Sequence, residues 1–370
     1  MPEQLKHFFS PEVVRRIAGM IEAVHPLFPQ KKFVKDASFG LEELELLPRA
    51  WHIAHALHEH LPQEFARGAA ILKASLGPRL ANTEGNGMSS FLYLPHVCYV
   101  AKYGIGDLET SLGLQYELTK RFTAEFSIRV FLEQYPEQTL ARLREWAHDS
   151  DVHVRRLVSE GTRPRLPWAP RLRMFQKDPG PVLELLELLK DDPELYVRRS
   201  VANSLNDIGK DYPELLLQTC RRWLIGASEE RRWLVQHALR SAVKRGEAGA
   251  LQVLGYGKKA AARVEGVKVS PRRVGIGECV TITFDIASTA IRKQALLIDL
   301  RVAFVKANGQ TAPKVFKLKK LELFPGHVTR LSTKISLRQM TTRKHYPGKH
   351  RFEVIVNGTA MPAGEFLVTK

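Results

Sequence analysis

Three segments of this 370-residue chain, DVHVRRLVSEG, ELYVRRSVANSLNDIG and EERRWLVQHALRSAVKRG, align on Arg155, Arg198 and Arg232. Each follows another apolar helical segment, TLARLREWA, VLELLELL or LLLQTCRRWL, so the unit is a helix pair that recurs after 43 and then 34 residues. Pairs of that period cannot bury their apolar faces alone and must stack on their neighbours, which predicts a mainly α, HEAT-like helical repeat solenoid. Earlier stretches keep the helical spacing: SPEVVRRIAGMIEAV, with Ser10 as N-cap and Pro11 at the first helical position, then LEELELLPRAWHIAHALHEHL and QEFARGAAILKASLG. After Gly257 the pattern becomes alternation. CVTITFDIA, LLIDLRVAFV, VTRLSTKISL, HRFEVIVNG and GEFLVTK, with turn signals at NG, PG and AG, predict about seven short strands in an all-β immunoglobulin-like sandwich. GYGKKAAAR reads as the linker, so the expected domains are 1–257 and 258–370.

The formal charge of +17 is unevenly placed: residues 259–370 carry 21 Lys+Arg against 7 Asp+Glu, whereas residues 1–258 carry 35 against 32. A field of that kind attracts a polyanion, nucleic acid before an anionic membrane surface. Three cysteines, Cys98, Cys220 and Cys279, lie far apart without a CxxC spacing, which argues against a disulfide framework and a zinc site. The N-terminal residues lack an apolar signal core, and no apolar run approaches the roughly 20 residues of a membrane span. A soluble cytoplasmic protein is expected.

The nine residues by which the first repeat interval exceeds the second fall in SEGTRPRLPWAPRLR, Ser159–Arg173. Insertions on one face of a solenoid are often where binding happens. In the middle repeat a polar stripe runs through Arg199, Asn203 and Asp207, opposite the core stripe of Val197, Val201, Leu205 and Ile208. Shifting by the repeat lengths adds Arg156 and Glu160 on one side and Trp233, His237 and Ser241 on the other, facing a shared groove. The insertion sets Trp168 among Pro164, Pro167 and Pro170, flanked by Arg163, Arg165, Arg171 and Arg173. Aromatic rings interleaved with cations suit a nucleic-acid backbone and an unstacked or cationic base. Carboxylates in such a groove oppose DNA binding unless they do chemistry. Cleavage of an N-glycosidic bond passes through an oxocarbenium-like sugar that a carboxylate stabilises while positioning water, a task for Glu160, Asp207 and Glu125.

SEGTRPRLPWAP, VRRSVANSLNDIGKDYP, HALRSAVKRG and TEGNGMSSF resemble the AlkC branch of the AlkC/AlkD HEAT-repeat DNA glycosylases, bacterial enzymes that repair alkylated DNA. The resemblance covers most of residues 1–257, and the sandwich is similar to an immunoglobulin-like domain that some members carry. It implies monofunctional excision of N3-alkylated bases, chiefly 3-methyladenine and 3-methylcytosine, from double-stranded DNA, leaving an abasic site without metal or cofactor. Matching positions are Glu160, Trp168 and Asp207, with Glu125 in KRFTAEFSIRVF. Trp233 would join Trp168 at the lesion, and Arg156, Arg163, Arg165, Arg171, Arg173, Arg199, Asn203 and His237 would hold DNA. A nucleoid-associated monomer is expected. The RPRLPWAP loop and the added domain depart from the AlkD branch, whose catalytic arrangement is therefore not carried over.

WHIAHALHEH gathers His52, His55, His58 and His60 on one helix without HExxH, and reads as a helix surface rather than a metal site. GNGMSS and GIGD lack the Lys-Ser/Thr of a P-loop and read as turns. In the sandwich, SPRRVG (Ser270–Gly275), LKK (Leu318–Lys320) and RQMTTRKHYPGK (Arg338–Lys349) are candidate DNA-contacting loops. A non-catalytic HEAT-repeat nucleic-acid-binding scaffold explains the repeats and the charge as well, and an RNA-binding protein fits the charge. Neither gives the carboxylates a task.

Overall fold

The computed structural model of the protein describes residues 5–84, 87–257, 260–340 and 343–370. Gly85 and Asn86 of GNGMSS, Lys258 and Lys259 of the linker, and Thr341 and Thr342 of the last basic loop lie outside the described residues. The chain divides into two compact units, Met1–Leu216 with Trp223–Ala238, and Leu217–Arg222 with Leu239–Lys370. Element type, by contrast, changes between Val253 and Ala262.

The first unit begins with α1 (Pro11–Glu22), α2 (Gln30–Ser38), α3 (Leu46–His60), α4 (Phe65–Ser75), α5 (Leu94–Tyr103) and α6 (Leu108–Thr119). Phe9, Ile17, Phe33, Leu57 and Tyr99 form the centre of their core. Pro11 starts α1, as its fixed φ favours, although the Ser10 hydroxyl makes no capping hydrogen bond. α7 (Ile128–Gln134) leads into two of the expected pairs, α8 (Pro136–Trp146) with α9 (Val152–Gly161) and α11 (Gly180–Leu189) with α12 (Leu195–Ile208), and then come α13 (Pro213–Leu224), of which Leu217–Arg222 falls in the second unit, and α14 (Glu229–Ala238). Between these two pairs lies the insertion, which ends where the short α10 (Arg173–Lys177) begins. The second helices α9, α12 and α14 pack in succession, which brings their stripes side by side.

The arginines on which the repeats align are structural. Arg198 donates to the carbonyls of Asp192 and Pro193 before its own helix, and Arg232 does the same to Ala227. Arg155 donates to Asp149 and Ser150 and reaches into the next repeat, where it pairs with the Asp192 carboxylate at 2.6 Å. One turn thus receives arginines from two successive repeats, which fixes how the second stacks on the first. The expected helix of the third repeat ends at Ala238, and Ser241 falls in a separate short helix of the second unit, Arg240–Arg245.

Among the described residues the second unit contains α15 (Arg240–Arg245), α16 (Ala248–Val253) and eight strands. β1 (Ala262–Ser270), β3 (Cys279–Ser288) and β6 (Val328–Ser336) form one sheet in the order β1-β3-β6. β2 (Arg273–Gly275), β4 (Gln294–Val305), β5 (Thr311–Leu323), β7 (Gly348–Val356) and β8 (Thr359–Thr369) form the other, in the order β2-β8-β7-β4-β5. Val280, Ile282, Phe284 and Ile286 of β3 share a core with Leu296, Ile298, Leu300 and Val302 of β4, the inward half of each alternation. Leu318–Lys320, expected in a loop, lies within the edge strand β5, where lysines discourage pairing with another chain.

Removing one member of a mostly buried ion pair strands the other. Arg155→Ala, which leaves Asp192 buried, should lower the unfolding free energy by about 3 kcal/mol, read as a fall in urea midpoint at unchanged slope. A loss below about 0.5 kcal/mol would show that this pair does not join the repeats.

Candidate active site

Asp151 caps α9 through the His153 amide, and the helix ends at Gly161, where a Cβ would stand 2.5 Å from Ile128 Cγ2. Only glycine lets the chain leave α9 so close to α7. Beyond it the insertion is held from within: the Arg129 guanidinium donates to the carbonyls of Gly161 (3.0 Å), Arg163 (2.7 Å) and Pro170 (2.6 Å). Burial lowers the Arg129 pKa to about 10, so the group stays charged at neutral pH. Sequence reasoning missed Arg129. Its helix carries the signal, since an arginine on a buried face needs acceptors, and a loop rich in prolines offers free carbonyls.

The insertion closes one side of a cleft of about 400 Å³. Leu166, Pro167 and Trp168 line it together with Phe91 and Leu94, the Phe122–Phe126 segment, Arg156 and Glu160 of α9, and Tyr196 of α12. Trp168 is 58% exposed and sits at φ 64°, a left-handed conformation that a large side chain rarely adopts. Arg156 lies against the Tyr196 ring at 5.4 Å, donates to Glu125 Oε2 at 2.5 Å and stands 3.5 Å from Glu160 Oε1. Arg163 donates to Glu160 Oε1 at 2.6 Å and to Asp207 Oδ2 at 2.9 Å, and Lys210 donates to Asp207 Oδ1 at 2.7 Å. Ser200 donates to Glu160 Oε2 at 2.6 Å.

Burial alone would raise the Glu160 pKa, but Arg156, Arg163 and the Ser200 hydroxyl outweigh it and hold the carboxyl below the usual glutamate range. Burial would likewise discharge Arg156 and Arg163, and the carboxylates beside them overcome it and raise both. Burial lowers the His153 pKa and leaves a neutral imidazole on the cleft wall. Two carboxylates, Glu125 and Glu160, therefore face the cleft with Trp168 and Tyr196.

Other expected site residues fall elsewhere. Asp207 is 2% exposed and stands behind Arg163, away from the cleft lining. Arg163, expected on phosphate, is buried between two carboxylates, and Arg165 is engaged by both oxygens of Asp211. Arg171 and Arg173 are exposed, and Arg199 meets Glu84 at 3.3 Å on the surface. Trp233 stacks on His237 with centroids 5.0 Å apart, and His237 bonds Asn203 at 3.3 Å; these three do not line the cleft. The clustered histidines bind locally, His52 and His60 to Asp36 and His55 to Tyr103, while His58 stacks on Tyr103.

Residues 122–245 match a family described as DNA alkylation repair enzyme, and residues 263–370 match the C-terminal immunoglobulin-like domain of the uncharacterised protein YhaZ. The chain is 34% identical over 367 residues to the uncharacterized protein YhaZ of Bacillus subtilis (strain 168), across 98% of this chain and 99% of that protein. It is similar to a solved structure of Pseudomonas fluorescens alkylpurine DNA glycosylase AlkC bound to DNA containing an abasic site analog. That match has 39% identity, a TM-score of 0.92, and covers 100% of both chains.

The left-handed backbone of Trp168 has a thermodynamic consequence. Trp168→Gly should unfold at a temperature at least as high as Trp168→Ala, because glycine relieves about 1 kcal/mol of strain that alanine retains. A glycine variant clearly less stable than the alanine variant would show that the conformation carries no strain.

Proposed function

We propose, since this chain belongs to the DNA alkylation repair enzyme family, that it is a monofunctional DNA glycosylase of the AlkC kind, excising N3-alkylated bases such as 3-methyladenine and 3-methylcytosine from duplex DNA. The observation that supports this most directly is the cleft in which the carboxylates of Glu125 and Glu160 lie beside the exposed face of Trp168.

An N3-alkylated base is cationic. It departs with the electron pair of the C1′–N bond and becomes neutral, so no general acid is needed. The sugar left behind is oxocarbenium-like, and Glu160, kept ionised by its arginines, stabilises it by charge. Glu125 orients a water, whose oxygen adds to C1′ while its proton passes to bulk solvent, leaving an abasic site. Trp168 packs on the lesion, where its ring face favours a cation over a neutral base. Arg171, Arg173 and Arg199 bind phosphates, while Asp207 acts through Arg163 rather than on the sugar. Residues 1–257 form the glycosylase domain. Residues 258–370 form a basic module that adds DNA affinity through SPRRVG and RQMTTRKHYPGK, and the enzyme works as a monomer at the bacterial nucleoid.

Single-turnover release of free base from 3-methyladenine-containing duplex tests this reading. Glu160→Gln should slow release by at least about 100-fold while leaving affinity for the duplex intact. Base release by the variant at the wild-type rate would remove Glu160 from the chemistry, and none by the wild type would leave a DNA-binding scaffold. Arg171→Ala should weaken binding to any duplex and reduce the slope of log affinity against log salt by about 1, the signature of one lost phosphate contact.

A further inference from the structure

We propose that Ser200, backed by Ser159, is a positioning residue that fixes Glu160 in its ionised, cleft-facing state; the inference rests on the glycosylase reading of that site. Ser159 Oγ on α9 lies 2.8 Å from Ser200 Oγ on α12, which lies 2.6 Å from Glu160 Oε2. Both serines are buried, so water does not stand in for either hydroxyl.

A serine hydroxyl has one proton to give, and an ionised carboxylate can only accept. With Glu160 charged, Ser200 must spend its proton on Oε2, and its lone pair is then free for the proton of Ser159. The row runs one way, from Ser159 through Ser200 to the carboxylate. Protonating Oε2 would reverse it: Glu160 would donate to Ser200, Ser200 to Ser159, and Ser159 to the carbonyl of Arg156 at 3.1 Å, and the bond at Oε2 would no longer be to an ion. Arg163 at 2.6 Å and Arg156 at 3.5 Å would then face a neutral acid through the other oxygen. Reversal therefore exchanges a charge-assisted hydrogen bond at Oε2 for a neutral one and weakens the attraction of two cations for the carboxyl group.

The row also crosses from one repeat to the next. Arg163 belongs to the insertion and Arg156 to the same helix as Glu160; each reaches α12 through a further group, Asp207 or the Tyr196 ring, and neither bonds Glu160 from α12 itself. Ser200 does, and with Oε1 held on one side and Oε2 on the other the carboxylate plane cannot turn. A carboxylate that must meet a sugar cation over a short interval gains from being held before the charge develops.

The test compares the full-length wild type with Ser200→Ala, Ser200→Thr and Ser159→Ala in two measurements. The first is the titration midpoint of the Glu160 side-chain carbon by NMR, assigned with Glu160→Gln. The second is single-turnover release of 3-methyladenine alongside affinity for an abasic duplex. Ser200→Ala should raise the midpoint by about one pH unit, since a bond to the charged form is lost. It should slow release about tenfold with affinity unchanged. Ser200→Thr, which keeps the hydroxyl, should restore both, and Ser159→Ala should move both in the same direction by less. A Ser200→Ala protein that matches a working wild type in midpoint and rate, even if less heat-stable, would assign Ser200 to packing and overturn the inference alone. A wild type that releases no base would overturn the reading beneath it.

Discussion

The 2.6 Å ion pair between Arg163 and Glu160 sets the terms for everything around the cleft. A carboxylate at 6% exposure is costly unless its oxygens are filled, and a guanidinium beside it needs more than one acceptor to offset its own desolvation. Each requirement recruits the next group. Glu160 takes Arg156 and Ser200; Arg156 takes Glu125; Arg163 takes Asp207; and Asp207 takes Lys210 at the rim. Arg163 is also in the first turn of the insertion, so the charge that keeps Glu160 ionised anchors the loop that carries Trp168. Arg129 completes the anchorage through backbone carbonyls that the prolines leave open.

Helix pairs and the polar stripe could be read from sequence because both depend on local spacing. Arg156 and Glu160 lie one helical turn apart on α9, and nothing distant is needed to put them on one face. Arginine roles were not readable in that way. Arg163, Arg165, Arg171 and Arg173 look alike in the sequence, yet two are consumed by acids and two are exposed. The acids, Asp207 and Asp211, stand 44 and 46 residues downstream, close to one repeat length. Applying the repeat register to charges as well as to the stripe would have paired them. The same shift leads toward Ser200, 40 residues from Glu160, but a serine gives no pattern signal of its own.

In the second unit, alternation revealed stretches whose register runs unbroken and missed those interrupted by a bulge; β8 was legible only from Gly364, just past Ala363, the extra residue in its pairing with β7. β1 slips against β3 between Glu265 and Lys268, next to Gly266 at φ 61°. β5 slips against β4 opposite Ile298 and Asp299, and Leu318 is the extra residue. Each bulge shifts the two-residue period by one, so KVFKLKKLEL reads as an irregular basic stretch although it pairs along its length. Leu318–Lys320 therefore looks like a loop in the sequence although it is strand.

Charge balance reconciles carboxylates with a nucleic-acid partner. In the buried network Arg156, Arg163 and Lys210 stand against Glu125, Glu160 and Asp207, three cations for three anions, so the site presents little net charge to an approaching phosphate backbone. On the proposed reading the attraction comes instead from exposed arginines and from residues 259–370 with their 21 Lys+Arg against 7 Asp+Glu. Affinity and chemistry are therefore assigned to different residues, and they differ in what disturbs them. Salt screens the exposed cations. Acid acts on the network: the Glu160 pKa is depressed in the folded protein, so the stability it contributes is whole above the ordinary glutamate range and is lost as pH falls through its lowered value. Above that range Glu160 keeps its charge in a buried site that salt screens little, the condition a carboxylate needs in the proposed reaction if it is to meet a cation formed only for an instant.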